Sequence, residues 1–124
     1  MVSLEEMEVM LDEIATELPR DIYKELNGGI MLLPEEKLNS NAKKNDLYIL
    51  GEYHRSGILG RYITIYYGSF SKVYGHLGRE ALKDKLMHTL KHEFIHHLES
   101  LAGERDLEIK DAEYIADYLK RNRR

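Results

Sequence analysis

The 124-residue chain contains no cysteine. Disulfide staples and thiolate metal sites are therefore excluded, and any bound metal must take nitrogen and oxygen ligands. No apolar stretch approaches the ~20 residues that a membrane-spanning helix needs. The opening residues Met1-Val2-Ser3-Leu4-Glu5-Glu6 are acidic where a secretory leader is basic and then apolar, so the expected location is the cytoplasm.

Strong charge of either sign is also missing, the formal net charge being −4. Acids outnumber bases in the first third and balance them in the last third, which leaves no polyphosphate footprint. The one basic run, Lys120-Arg121-Asn122-Arg123-Arg124, follows a helix-like segment, where cations complement the negative end of the helix dipole. Neither a nucleic-acid partner nor a membrane is expected.

What is present is enough apolar material, 43% of residues, for one modest core, so residues 1–124 read as a single domain. Ser3 and Glu6 form a potential capping box ahead of Met7, Met10, Leu11, Ile14, Ala15 and Leu18, which recur at helical spacing. Pro19 suits the start of a second short helix through Leu26, stopped by Asn27-Gly28-Gly29. Ile30 to Leu33 reads as a strand, and the polar stretch Pro34 to Asn45 as a loop or flap. Two further strands span Leu47 to Tyr53 and Arg61 to Tyr67, closed by Gly68-Ser69. The tyrosines of this region suit cross-strand packing better than base stacking, because no basic stripe accompanies them. A long helix is predicted from Arg79 to Leu101, with Gly103 placed to terminate it, and a last helix from Asp111 to Arg121.

Inside the long helix lies His92-Glu93-Phe94-Ile95-His96. Residues four apart stand one above the other on a helix, so two imidazoles can grip one ion while the intervening Glu flanks it. At ~100° per residue, His96 lies about 40° and Glu93 about 100° from His92, whereas Leu86, Leu90, Phe94, Leu98 and Leu101 gather on the far side. The motif thus faces away from the apolar stripe. This chemistry implies Zn²⁺ held by His92 and His96, with Glu93 as the base that takes a proton from the attacking water and passes it to the leaving amine.

A third protein ligand is required. Glu99 shares the His face, but a ligand from the same straight helix arrives nearly in line with the first two. Asp106 is the first choice, since Gly103 allows the chain to turn back, and Glu113 on the last helix is the next, by the likeness of this motif to zincins whose third ligand is a helical Glu. His88, one turn before His92, could support the site from behind. His97 falls at the edge of the apolar face, packed there or bonded to a carboxylate, while His54 and His76 receive no role. A di-iron reading would need a second Glu-x-x-His, and there is none.

The order of features resembles the small bacterial zincin-like metallopeptidases over most of the chain. The likeness rests on the acidic first helix, Leu50-Gly51-Glu52-Tyr53, the strand Tyr62-Ile63-Thr64-Ile65-Tyr66-Tyr67-Gly68, and His92-Glu93-Phe94-Ile95-His96-His97. Many members look like H-E-x-x-H-H-x-G, and here Glu99 stands where that Gly would end the helix. The resemblance implies that Arg61 to Tyr67 is the edge strand above the active-site helix, along which an extended peptide adds. It also implies that Tyr53, Tyr67 or Tyr114 stabilises the oxyanion.

The expected fold is therefore α+β and zincin-like: a small mixed sheet of three or four strands packed on the long helix, with flanking terminal helices. The expected activity is zinc-dependent hydrolysis of peptide bonds in a peptide or protein substrate. The alternative is a catalytically degenerate, metal-stabilised module that holds a peptide without cutting it.

Overall fold

The computed structural model describes residues 1–40, 47–104 and 116–121. Helix α1 spans Leu4–Glu17, and its capping box is formed: the Glu6 N–H donates to Ser3 Oγ at 3.1 Å and the Ser3 N–H to Glu6 Oε1 at 3.0 Å. Met7, Met10, Leu11 and Ile14 are buried, as their spacing requires. Leu18 is extended, the conformation favoured before Pro19. The predicted second helix shrinks to one 3₁₀ turn, Arg20–Tyr23. Lys24 leaves helical geometry and Glu25 sits at φ 63°, so the pattern cannot continue to Leu26.

Strands β1 (Gly29–Leu33), β2 (Gly51–Ser56) and β3 (Gly60–Tyr66) form a three-stranded mixed sheet in the order β1-β3-β2. The protein is α+β, as its sequence predicts. β3 pairs parallel with β1 and antiparallel with β2, so it lies at the centre. The expectation that Arg61 to Tyr67 is the edge strand is overturned, because both sides of β3 are taken by ladder hydrogen bonds. The strand facing the long helix from the sheet's margin is β2. It also begins later and runs further than its sequence suggests: residues 47–49 pair instead with 37–39, through Asn39 N–H to Leu47 O (2.7 Å) and Ile49 N–H to Lys37 O (2.8 Å). A tight turn then joins Ser56 to Gly60, whose φ of 74° glycine tolerates.

Helix α2, Tyr67–Tyr74, has no counterpart in the sequence pattern. Its Gly, Ser, Val and Tyr residues have weak intrinsic helix preference. Burial of Ser69 and Phe70 forms it, together with the close seat of Gly68 against the backbone of Glu35 and Glu36.

Helix α3 spans Arg79–Glu104 and passes through Gly103, which therefore does not terminate it. Leu82, Leu86, Leu90, Phe94, Leu98 and Leu101 are fully buried along one side. The first five join Met7, Met10 and Ile14 of α1, Ile63 and Ile65 of β3 and Phe70 of α2 in one core, which Leu119 of the helical residues 116–121 also enters. No helix among the described residues is long and apolar enough to cross a membrane.

Candidate functional site

The buried stripe of α3 fixes its rotation, and with Leu90, Phe94 and Leu98 turned inward, His92 and His96 must point outward; both are exposed. Their Nε2 atoms stand 3.2 Å apart, with the rings nearly perpendicular at 88°. Metal–nitrogen bonds of ~2.0–2.1 Å to both atoms would subtend about 100–106° at the ion, close to the tetrahedral angle. The same separation lets one ring donate its Nε2–H to the other, so either a proton or a cation fits between them.

Glu93 turns toward the sheet and is only 6% exposed. Burial, and then the negative charge of Glu52, push its carboxyl up to about 7. Glu52, and Glu93 when ionised, place negative charge beside the two imidazoles, which favours a cation there.

A cleft of about 620 Å³ opens between α3 and β2. His92, Glu93, His96 and Ser100 form one wall, while Gly51, Glu52, Tyr53 and Arg55 form the other. Gly51 allows the close approach: a Cβ there would meet Thr89 Cγ2 and Ile65 Cδ1, each at 3.1 Å.

The histidine that follows the motif, His97, is completely buried and fastens this wall from behind. Its Nε2 lies 2.7 Å from the Lys24 carbonyl, which can only accept, so Nε2 carries the proton. Burial lowers the pKa of His97 and keeps the ring neutral, so Nδ1 accepts from the Tyr53 hydroxyl at 2.8 Å. Of the two readings the sequence offered, His97 is packed inside, and its partners are a phenol and a backbone carbonyl in place of a carboxylate.

Glu52 belongs to a second polar cluster. Its Oε1 accepts from Lys37 Nζ and from the Tyr66 hydroxyl, the latter at 2.6 Å. Burial alone would raise its pKa, but these hydrogen bonds outweigh it and hold the carboxyl below the usual range. His54, for which the sequence suggests no role, lies 2.9 Å from Thr64 Oγ1 and stacks on Tyr62.

The structure brings His92, Glu93 and His96 together, as their spacing predicts. Asp106, Glu113 and Tyr114 lie outside the described residues. Glu99 is exposed and does not line the cleft, and among the described residues no group of three or more His, Asp or Glu forms that could hold a metal ion. The two described oxyanion candidates are otherwise engaged: Tyr53 donates to His97, and Tyr67 to the Val2 carbonyl. Sequence reasoning missed Arg55 as a cleft residue and Glu52 as the neighbour of Glu93. For Arg55 the signal was the strand running on past Tyr53 to Ser56; Glu52 lay inside the expected strand, but no local pattern places it beside Glu93.

A conserved hypothetical protein from Thermo thermophilus shares this architecture, with a TM-score of 0.70 and 32% sequence identity over 82% of this chain and 99% of that one. This chain belongs to that protein's family. No protein-family model and no curated protein matches the chain.

Proposed function

We propose that this member of the family is a zincin-like, zinc-dependent metallopeptidase, with His92 and His96 as metal ligands and Glu93 as the proton carrier. The observation that carries the reading is the 3.2 Å between the two Nε2 atoms beside a buried carboxyl whose pKa is raised to about 7. The 3.2 Å between the two imidazole nitrogens suits a zinc ion; His92 and His96 would hold it, with Asp106 as the third ligand. When bound, zinc would supply Lewis acidity that polarises a peptide carbonyl and makes water a better nucleophile.

The chain's own residues do the rest. Glu93, poised near neutrality, accepts a proton from water in its ionised form and releases it to the leaving nitrogen. Its burial keeps bulk water from competing for that proton. Tyr53 and His97 hold α3 against β2, which fixes where the imidazoles point. An extended peptide laid in the cleft runs along β2, the outer strand beside the site.

The test combines metal analysis with turnover. Purified protein should bind one zinc per chain and cleave unstructured peptides. Glu93→Gln should keep the metal and lose at least about 100-fold in kcat, the usual contribution of a general base. His96→Ala should lose the zinc itself. Full zinc content in His96→Ala would overturn the ligand assignment. Zinc binding without turnover by the parent protein would leave the metal-stabilised peptide-binding module as the better description.

A further inference from the structure

A second cavity, of about 500 Å³, adjoins the cleft and is lined by Asn27, Arg55, Ser56, Gly57, Gly60 and Arg61. Arg55 lines both. Arg55 and Arg61 are directly opposite each other in the β2–β3 ladder, so their side chains leave the same face of the sheet as neighbours. Like charges placed this way repel, and the repulsion is relieved when an anion sits between them. Arg61 is half-buried, which strengthens its attraction for a negative group.

The direction of the strand places the pair relative to the metal ligands. Gly51 sits against Thr89, and Tyr53 is bonded to His97, so β2 runs in the same sense as α3. Arg55 therefore lies at the end of the cleft beyond His96. A peptide spanning His92 and His96 along β2 delivers its next residues to the two guanidinium groups.

We propose that Arg55 and Arg61 form an anion subsite which selects acidic peptides, receiving a substrate carboxylate on the side of the scissile bond beyond His96. The proposal rests on the reading of this cleft as a peptide-hydrolysing site. The carboxylate is either an Asp or Glu side chain or the peptide's own C-terminus. Both arginines already have interactions within the chain. The incoming carboxylate joins or replaces an existing partner, and the resulting preference is moderate, on the order of tenfold.

The experiment uses the full chain loaded with zinc and four sets of fluorescein-labelled octapeptide mixtures. Two sets carry Glu or Gln fixed at one position, and two end in a free acid or an amide. Affinity is measured by anisotropy on Glu93→Gln, and cleavage on the parent protein. The expected result is a preference of about tenfold for Glu over Gln, or for acid over amide, whichever names the source of the carboxylate. In Arg55→Gln and Arg61→Gln that ratio should fall below about twofold, while Arg55→Lys keeps part of it. If Arg61→Gln fails to fold, the exposed Arg55 carries the test alone. Equal affinity in every pair, or a preference that survives both substitutions, overturns the subsite. Cleavage without any acid preference removes the subsite and leaves the peptidase. An arginine-dependent preference in binding without cleavage removes the peptidase and leaves the subsite.

Discussion

At the scale of single residues, Glu93 is strongly altered by its surroundings, and the alteration can be measured without any substrate. A carboxyl raised from its ordinary value near 4.5 to about 7 is the reverse of the salt-bridged case. The folded protein holds this proton more tightly than the unfolded chain does. No penalty exists below about pH 4.5, where both states are protonated; the penalty grows as pH rises and is complete above about 7. Glu93→Gln, which cannot ionise, should therefore stabilise the metal-free protein by about 2–3 kcal/mol at pH 8 and change it little at pH 4.5. Denaturant titration in EDTA at the two pH values measures this. An equal effect at both would show that Glu93 is not buried as a charge. His92, Glu93 and His96 were legible in the sequence because helical spacing is a local property. The partners of His97 were not, because Lys24 and Tyr53 lie 73 and 44 residues away along the chain.

Between elements, the Tyr53 hydroxyl is the clamp between β2 and α3. Tyr53→Phe should leave His97 Nδ1 buried without its donor, at a cost of about 1–3 kcal/mol in stability. If the proposed zinc site is right, zinc content should be unchanged, since the spacing of His92 and His96 is set within α3 itself. An unfolding midpoint equal to that of the parent would mean that another group satisfies His97. Helices α1 and α3 were readable because each carries a long apolar stripe, and in α1 a capping box as well. Helix α2 was not, because Tyr67 to Tyr74 forms a helix only by burying Phe70 and by seating Gly68 on the backbone of Glu35 and Glu36. The same limit explains β2: Leu47 to Tyr53 has the residue types of one strand, yet its first half pairs with residues 37–39 and only its second half joins the sheet.

Taken as a whole, the molecule ties its site to its core, because α3 carries His92 and His96 on one side and Leu86, Leu90, Phe94 and Leu98 on the other. A ligand that grips only the folded arrangement of the two imidazoles must stabilise the entire fold. Zinc at 1,000 times its dissociation constant should contribute about 4 kcal/mol, a rise in Tm on the order of 10–15 °C that EDTA reverses and His96→Ala abolishes. A zinc-independent Tm in a calorimetric scan would count against the centre. What the sequence determined by itself was local: the amphipathic helices, the separation of the face that carries His92 and His96 from the apolar face, and the exclusion of thiolate chemistry. Only the tertiary structure decided that β3 is central and β2 marginal, that Glu52 stands near Glu93, and that Arg55 and Arg61 share a cavity. Strand order and strand register are set by contacts between residues far apart in the chain, and no local pattern encodes them.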